Sequence, residues 1–345
     1  MAIDIVETEC DSSGREWDAF LEAHPHGSFY HRYGWRRLNQ VQLGHTCIYL
    51  QGQDGDSVTG ILPLVLTNSR IFGRILCSLP FVNYGGPIAI DAETSRLLLE
   101  AAREYASRLR VDYLELRCNA PLDTDLQASV QKVSMTLELE SDPERLWTKF
   151  TSKHRTNIRR VYKDGLAVTG GSHELLPAFL AVMQRSWRDL GTPLYAPGYF
   201  EAIVAAFPDQ TRIFICHRNN EPVAVAFNGY FAGTVEGMWA GNTPMGHELN
   251  ANYVLYWEMI KESCERGYRR FHLGRSTAGS GAEQFKKKWN AMTTQLYWYH
   301  YRPDGRYSAV VNVDNPKFRV AIAAWRKLPL WATRVLGPPL ARVIP

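Results

Sequence analysis

The sequence contains a diverged internal repeat, and this feature limits the fold more than any other. The segment YASRLRVDYLELR ends at Arg117, and the segment SCERGYRRFHLGR ends at Arg275, about 160 residues later. Each reads as the end of a helix followed by a strand that terminates in arginine, and hairpin-like runs (SVTGILPLVL and NEPVAVAFNGY) precede both. The repeat predicts an α/β (α+β) fold with two tandem domains, each a mixed β-sheet flanked by helices. The alternative is chance similarity between two ordinary hairpin-plus-helix units.

Alternating and helical hydrophobic patterns place the elements of both halves. In the first half we expect a helix at 92–109 and strands at 45–51, 57–67, 70–78, 86–90 and 111–117. In the second half we expect a helix at 250–266, capped by Asn250-Ala251-Asn252, and strands at 211–217, 222–231, 233–240 and 268–273. A further helix starts at Asp142-Pro143. The predicted domains are 1–141, 142–313 with the active site, and a tail at 314–345, whose prolines interrupt any long helix.

Composition excludes several classes of protein. With 45% hydrophobic and 21% charged residues the chain is globular, and the six scattered cysteines predict buried thiols rather than disulfides or a metal site. The sequence has neither the apolar segment of a signal peptide nor a run of about 18 apolar residues, so we expect a cytoplasmic protein. No GxSxG, HExxH, GxGxxG or paired-carboxylate motif is present, which disfavours hydrolases, metalloproteases and dehydrogenases.

The segment Gly274–Trp289, GRSTAGSGAEQFKKKW, combines fixed positive charge with a glycine- and serine-rich loop. Arg275 ends a strand, Ser276 opens the loop, and Phe285-Lys286 follows it. Such a loop lets a substrate approach the main chain, and the charges suit an anion or a carbonyl oxygen that becomes negative during acyl transfer. The segment lacks the residue order of a Walker phosphate-binding loop.

A second basic segment, Lys153–Lys163, contains five lysines and arginines and no acid. On a helix Arg155, Arg159 and Lys163 share one face, with Asn157 beside them, while Ile158 and Val161 can face the core. This face could bind the phosphate of a substrate or a nucleic-acid backbone. A solvated basic surface explains the pattern equally well.

Other candidates lie near strand ends. Tyr84, in the turn of SLPFVNYGGP, and Tyr30 with Trp35 could line a cleft, although core packing is the alternative. Trp239 and Asn242 end a strand in the second half, where Glu236 and His272 are candidate general bases. For Glu236 the alternative is a solvent-facing strand residue, and for His272 a satisfied buried histidine.

The tail from Asp314 to Pro345 has six Lys/Arg and one acid, a charge of +5, whereas the whole chain carries only +4. Residues 316–331 mix these cations with Trp325 and Trp331. That mixture suits a membrane interface, and packing of the apolar side onto the protein is the alternative.

Taken in order along nearly the whole chain, these segments resemble the FemAB-like branch of the GNAT superfamily, closest to the proteins associated with exosortase (PEP-CTERM) and exopolysaccharide loci. The matching pieces are Ser28–Trp35, Tyr84–Pro87, Lys153–Arg160, Gly274–Ser276, Phe285–Trp289 and the end Asn315–Pro329. The resemblance implies two tandem GNAT-like domains with the active cleft between them or in the second. It also implies transfer of an amino acid from aminoacyl-tRNA, or of an acyl group from acyl-CoA, to an amine. Carried over from relatives, Lys286 beside Phe285 stabilises the acyl-transfer intermediate.

The sequence departs from the family in two places. His272 stands where relatives often have aspartate, and the chain from Asn242 to Asn250 does not fit the Q/RxxGxG/A pyrophosphate loop of CoA-using GNAT enzymes. The coiled-coil arm of some FemAB proteins is also absent.

We therefore predict an N-acyltransferase or aminoacyltransferase acting on an anionic cell-envelope or exopolysaccharide precursor, with aminoacyl-tRNA or acyl-CoA as co-substrate, no metal and no tightly bound cofactor. The predicted catalytic residues are Lys286, Arg275, His272 and Glu236. Predicted substrate contacts are Arg155, Asn157, Arg159, Tyr84, Tyr30, Trp35, Trp239, Asn242, Ser276 and Phe285. Partners would include tRNA and, through peripheral contact, the inner membrane. The alternatives are a non-catalytic protein that binds an anionic glycan or lipid-linked precursor, and a membrane scaffold working through the tail.

Overall fold

A computed structural model describes residues 3–8, 11–305 and 316–344 of the chain. The chain forms two compact units: the first comprises Met1–Val133, Thr294–Val311 and Val343–Pro345, and the second comprises Ser134–Thr293 and Asn312–Arg342. These units cross the predicted domain limits because strand pairing groups the chain differently. Residues 134–138 join the second sheet, and residues 297–301 return to the first.

The first unit is a mixed sheet with helices. Its strand order is β1-β2-β3-β4-β6-β15-β7, with β5 paired to β3, and β4 and β6 run parallel. The strands are β1 (Asp4–Glu7), β2 (Thr46–Asp54), β3 (Ser57–Ser69), β4 (Gly73–Cys77), β5 (Ile88–Ala89), β6 (Tyr113–Cys118), β7 (Ala128–Ser129) and β15 (Tyr297–Tyr301). The helices are α1 (Asp11–Ala23), α2 (Gly34–Val41) and α3 (Ala92–Arg108).

The second unit repeats this plan with the strand order β14-β8-β13-β12-β11-β10-β9. Its strands are β8 (Lys132–Glu138), β9 (Leu166–Gly171), β10 (Thr211–Arg218), β11 (Glu221–Phe231), β12 (Thr234–Asn242), β13 (Arg270–Thr277) and β14 (Met292–Gln295). Its helices are α4 (Pro143–Lys149), α5 (Ser152–Lys163), α6 (Leu176–Leu190), α7 (Pro197–Ala206), α8 (Pro244–Glu248), α9 (Asn252–Glu265), α10 (Gly281–Lys287), α11 (Pro316–Lys327) and α12 (Leu330–Ala341).

The predicted repeat is confirmed by matching topology. In each unit a three-stranded antiparallel meander (β2-β3-β4 or β10-β11-β12) leads through a helix, α3 or α9, to a strand that lies parallel to the last of the three. A parallel pair needs such a crossover because its strands cannot be joined by a tight turn. The tandem arrangement of two mixed α/β units predicted from the sequence is therefore correct.

Local signals explain where several helices begin. The Asp91 side chain accepts a hydrogen bond from the Thr94 N–H at the start of α3, and the Asp142 side chain caps α4 in front of Pro143. The predicted cap of α9 is wrong, because its cap residue is Ala251 and no side chain there caps the helix. Asn252 instead accepts a hydrogen bond from Asn242, at 2.9 Å.

In the first unit, α3 packs on the sheet and buries leucines such as Leu62, Leu98 and Leu114, each of which stabilises the fold by about 2 kcal/mol. A charged pair is buried beside this core. Arg117, the strand-terminal arginine of the first repeat, donates from Nε to Glu115 at 2.7 Å, and both side chains are 3% exposed. The five cysteines among the described residues are buried and free, as predicted, and Cys10 lies outside the described residues.

The C-terminal segment forms two short helices that pack on α6. Pro329 separates α11 from α12, as predicted, whereas Pro338 and Pro339 lie inside α12 and do not interrupt it. Across the described residues, no helix combines the length and the apolar character needed to cross a bilayer.

Candidate active site in the second unit

The parallel strands β12 and β13 pair only at their beginnings. Their register runs from Thr234 opposite Arg270 to Glu236 opposite His272, although both strands continue for several residues. At this point β12 contains a bulge, because Phe227 pairs with Trp239 while the next residue of β11 pairs with Gly237. A bulge bends a strand and increases its twist, which separates β12 from β13 beyond Glu236. The opening between two parallel strands exposes main-chain groups at the sheet centre.

Lys286 occupies this opening. Its ammonium group donates to the carbonyl oxygen of Gly274 at 2.8 Å, to that of Arg275 at 3.1 Å and to the hydroxyl of Ser276 at 3.0 Å. The residue is only 7% exposed. A protonated lysine has three N–H donors, so all of them have acceptors on β13. The structure thus brings Lys286, Arg275 and Ser276 together, as the sequence predicts.

Two local features fix this lysine. Gly274 has a φ of +79°, and a Cβ at this position would lie 2.8 Å from the carbonyl oxygen of Gly237 on β12. Only glycine avoids both the strain and the collision. Helix α10 begins with the Ser280 side chain accepting from the Glu283 N–H, and the Glu283 carboxylate accepts from the Gly279 N–H at 2.6 Å. These reciprocal caps hold a short helix that would be marginal alone.

The environment of Lys286 lowers the pKa of its ammonium group. Burial, with a further contribution from the positive charge of Arg275, lowers the pKa of Lys286 to about 8. A lysine with such a pKa is mostly charged at neutral pH and still exchanges protons readily. It can stabilise a developing oxyanion or take part in proton transfer.

His272 and Glu236 form a pair at the last registered position of β12 and β13. The Nδ1 atom of His272 lies 2.9 Å from a carboxylate oxygen of Glu236, which is 1% exposed. Burial lowers the pKa of His272, but the Glu236 carboxylate outweighs it, so the pKa lies above its ordinary value. Glu236 is therefore buried, and the alternative that it is a solvent-facing strand residue is wrong. The carboxylate orients the imidazole beside the opening, an arrangement that suits proton transfer.

An aromatic cluster behind α10 contains residues that the sequence did not single out. Phe285 packs edge-on against Tyr253 of α9 at 5.6 Å between ring centroids. The Tyr253 hydroxyl accepts from Asn157 and from Lys288, both at 3.4 Å. The sequence predicted Asn157 and Phe285 as site residues. Lys288 belongs to the FKKKW segment, so the sequence could have indicated it as well. No sequence pattern around Tyr253 indicates a functional role for that residue.

His154 is a second residue near Lys286 that the sequence did not indicate as functional. It is buried against Trp289 with perpendicular rings 4.3 Å apart, and neither ring nitrogen has a hydrogen-bond partner among the described residues. Burial and the nearby charge of Lys288 lower the pKa of His154 to about 4, so the ring is neutral at physiological pH. It anchors the first turn of α5 to the segment that directly follows α10, the helix that carries Lys286.

The basic segment forms the helix α5, as predicted, with Ile158 and Val161 fully buried. Arg159 is exposed and its guanidinium lies over the Trp147 ring at 5.3 Å, while Arg155 is half-buried. Stacking on tryptophan holds a guanidinium in place without neutralising its charge. The face is thus available to an anion.

The remaining predicted residues take structural positions. Trp239 packs edge-on against Phe200 and Phe227 in the core of the second unit, and Asn242 links the end of β12 to Asn252. In the first unit, the rings of Tyr30 and Tyr84 pack against each other with centroids 5.2 Å apart, and Trp35 is buried against Phe29. In this conformation these three rings support the core and offer almost no surface. Substrate contact by any of these residues stays a prediction.

Within the described residues, no group of three or more His, Cys, Asp or Glu side chains could hold a metal ion.

Residues 152–287 match the family described as the acetyltransferase (GNAT) domain. This range begins with α5 and ends with α10, so it includes the strand opening and Lys286. The second half of the chain is therefore similar to a GNAT acetyltransferase domain over this range. The sequence has no significant match among curated proteins.

Solved structures extend the likeness to both units. The crystal structure of FemX superposes with a TM-score of 0.66 at 13% identity, covering 85% of this chain and 97% of that one. L-PGS from Bacillus licheniformis gives a TM-score of 0.53 at 16% identity, with 94% and 96% covered. A tandem GNAT protein from the clavulanic acid biosynthesis pathway gives 0.54 at 10% identity, with 89% and 100% covered. At these identities the likeness shows a shared tandem GNAT fold.

Proposed function

We propose that this GNAT-domain chain is a FemAB-like transferase that moves an acyl or aminoacyl group onto an amine of an anionic cell-envelope or exopolysaccharide precursor. The observation that carries the proposal is the buried ammonium of Lys286 at the opening between β12 and β13. The exosortase (PEP-CTERM) association of the resembling proteins favours an exopolysaccharide precursor. An acceptor carried on a lipid would bring the enzyme into peripheral contact with the inner membrane.

The proposed reaction uses charge at the site centre. The acceptor amine attacks the donor's carbonyl carbon, and the carbonyl oxygen becomes an oxyanion near Lys286 and Arg275. Collapse of the tetrahedral intermediate restores the carbonyl, expels the donor's leaving group and leaves an amide. Positive charge in a buried site stabilises the oxyanion far more than it would in water. To reach the oxyanion, Lys286 exchanges one of its three contacts, and the rotatable Ser276 hydroxyl is the easiest to give up.

The amine must lose a proton during this attack. We assign that step to the His272 and Glu236 pair, because the imidazole is held by the carboxylate at 2.9 Å. The nitrogen of His272 that does not face Glu236 would accept the proton, and the adjacent carboxylate would stabilise the resulting cation. The proton then passes to the leaving group or to solvent.

For the donor we propose aminoacyl-tRNA rather than acyl-CoA. The pyrophosphate loop of CoA-using GNAT enzymes would fall in front of α9, at residues 243–251, and this segment contains α8. Backbone N–H groups are common ligands of phosphate oxygens. Six of its backbone N–H groups already donate to protein oxygens, namely those of residues 243, 246, 247, 249, 250 and 251. An N–H that is already paired is a poor ligand for pyrophosphate. The basic face of α5 would bind phosphates of the tRNA or of the acceptor.

The decisive experiment measures which donor the protein consumes. Purified protein, supplied with an amine-bearing lipid-linked or nucleotide-linked sugar precursor, is incubated with charged tRNA or with acyl-CoA. We expect loss of the aminoacyl ester only, and Lys286→Met should reduce kcat/KM by about a hundredfold or more. Lys287→Met is the matched control, since Lys287 lies on the same helix, is exposed and pairs with Glu283. Equal activity of the two variants would refute the role of Lys286, and consumption of acyl-CoA would refute the donor assignment.

The second candidate is a non-catalytic protein that binds an anionic glycan or lipid-linked precursor. The three occupied N–H groups of Lys286 favour it, because the site as it stands has no spare donor there. A stable complex with the precursor, without turnover of either donor, would support this candidate over the transferase.

A further inference from the structure

The C-terminal helix α12 buries small residues and exposes large apolar ones. The residues that face the protein are small and buried: Ala332, Thr333, Gly337 and Ala341. Large apolar side chains elsewhere on the helix are exposed, Trp331 by 71%, Val335 by 68% and Leu336 by 47%. At about 100° per residue, Trp331, Val335 and Pro339 form one stripe along the helix. A helix whose outer face met only water would show polar residues there.

The small inner face shows that this orientation is fixed. A Cβ at Gly337 would lie 3.0 Å from the Leu194 carbonyl oxygen, so the helix backbone sits close against the loop between α6 and α7. The Arg334 guanidinium donates to the Gln184 side chain on α6 at 2.6 Å. Rotating the large residues inward would require space that is absent. The apolar stripe is therefore a stable surface of the second unit.

The same segment carries a strong positive charge. Residues 319–344 contain no aspartate or glutamate, and all five of their cationic residues are exposed: Arg319, Arg326, Lys327, Arg334 and Arg342. The surface that α11 and α12 present thus carries both exposed apolar and exposed basic side chains. We call this surface the C-terminal face.

We propose that the C-terminal face docks on an anionic lipid bilayer, with Trp331 and Val335 entering the headgroup region and the five cations contacting acidic lipids. Tryptophan is enriched at the boundary between lipid and water, and basic residues beside it add attraction to an anionic surface. A second copy of this chain fits the same face poorly, because a two-fold contact would bring two surfaces of charge +5 together. The proposal is independent of the catalytic role of Lys286.

The test uses the full chain and vesicles of phosphatidylcholine with about 30 mol% phosphatidylglycerol. Co-sedimentation compares the wild type with the double variant Trp331→Ser/Val335→Ser. The matched control is Val41→Ser/Ile71→Ser, which removes two apolar residues of the first unit with nearly the same exposure, 66% and 65%. We expect the partition coefficient of the Trp331/Val335 variant to fall about tenfold or more, and that of the control to change less than about twofold.

Charge is tested on the same samples. Wild-type binding should weaken about tenfold on vesicles of phosphatidylcholine alone, and it should also weaken as salt rises. Absence of wild-type binding to the anionic vesicles, or equal binding by the Trp331/Val335 variant and its control, would overturn the proposal. So would sedimentation velocity showing a wild-type dimer that the Trp331/Val335 variant disrupts without any vesicle binding, because the face would then be a contact between copies.

Discussion

The ammonium nitrogen of Lys286 lies 2.8 Å from the carbonyl oxygen of Gly274, at the position where β13 separates from β12. A cation is thus held against β13 by two main-chain oxygens and a hydroxyl rather than by a carboxylate. An ion pair with a carboxylate would neutralise the lysine, whereas carbonyl oxygens leave its charge available. The electrostatic effect on any bound carbonyl group follows directly from this choice of acceptors.

The buried lysine should make stability depend on pH in the alkaline range. The pKa of Lys286 is lowered from 10.5 in the unfolded chain to about 8 in the folded protein. Between these values the unfolded state binds more protons, so the stability contributed at this site rises with pH. Relative to Lys286→Met, the wild type should gain up to about 3 kcal/mol from about pH 8 to pH 10.5. Urea denaturation of both proteins across that range measures the gain.

Lys287→Met again provides the control, because it removes a lysine of the same helix and keeps Lys286. Its stability should change with pH in parallel with the wild type. A constant difference between the wild type and Lys286→Met across the range would show that Lys286 keeps an ordinary pKa.

Gly274 should tolerate substitution far less than a glycine with the same backbone angle. Gly274→Ala strains a φ of +79° and places a Cβ 2.8 Å from the Gly237 oxygen, so we expect a loss of about 2–4 kcal/mol. Gly279 has a φ of +78° and open space around it, and Gly279→Ala should cost only about 1 kcal/mol. Thermal or urea denaturation of the two variants compares them. Equal losses would mean that β12 moves away freely.

The proximity of Lys286, Arg275 and Ser276 could be read from the sequence because all three lie within one short segment. The pairing of His272 with Glu236 could not, since these residues are 36 positions apart and meet only through the parallel register of two strands. The bulge in β12 has no clear sequence signal either. Long-range register decides which candidate side chains meet, and a single sequence does not specify it.

The sequence predicted the fold more completely than it predicted the site. The repeat, the ends of α3 and the start of α4 follow from periodicity and caps, which are local signals. The aromatic residues Tyr30 and Tyr84 show the limit of such signals, because a tyrosine near a turn can equally line a cleft or fill a core. The structure places both in the core of the first unit.

The coupling energy between His272 and Glu236 should depend on pH. The carboxylate raises the pKa of His272 above its ordinary value, so the pair stabilises the fold at low pH and loses this contribution as pH rises through the folded pKa. A double-mutant cycle with Glu236→Gln and His272→Gln should give about 1–3 kcal/mol near pH 6 and less near pH 8.5. With Glu236→Gln alone, NMR titration should show the pKa of His272 below its ordinary value, because burial remains.

Coupling that stays the same at both pH values would contradict the charged pair and indicate a neutral hydrogen bond. The contact of Tyr253 with Asn157 serves as the reference cycle, using Tyr253→Phe and Asn157→Ala. It involves neither a histidine nor a carboxylate, so its coupling energy should not follow the same pH trend.

Acid should destabilise the first unit through Glu115. Burial alone raises the pKa of this carboxyl, but Arg117 and His300 outweigh it and lower the pKa from 4.5 to about 2. The carboxylate therefore contributes stability above pH 4.5 that is lost as pH falls toward 2, up to about 3 kcal/mol. Glu115→Gln should cost about 3–5 kcal/mol near neutral pH, because it leaves the Arg117 cation buried without its partner. Urea denaturation at about pH 6.5 and pH 3.5 should show that this cost shrinks in acid. Glu93→Gln, at an exposed pair with Arg96, is the control and should cost far less than Glu115→Gln near neutral pH, because solvent screens the pair. An equally small cost for Glu115→Gln would show that the buried pair adds nothing to the stability of the unit.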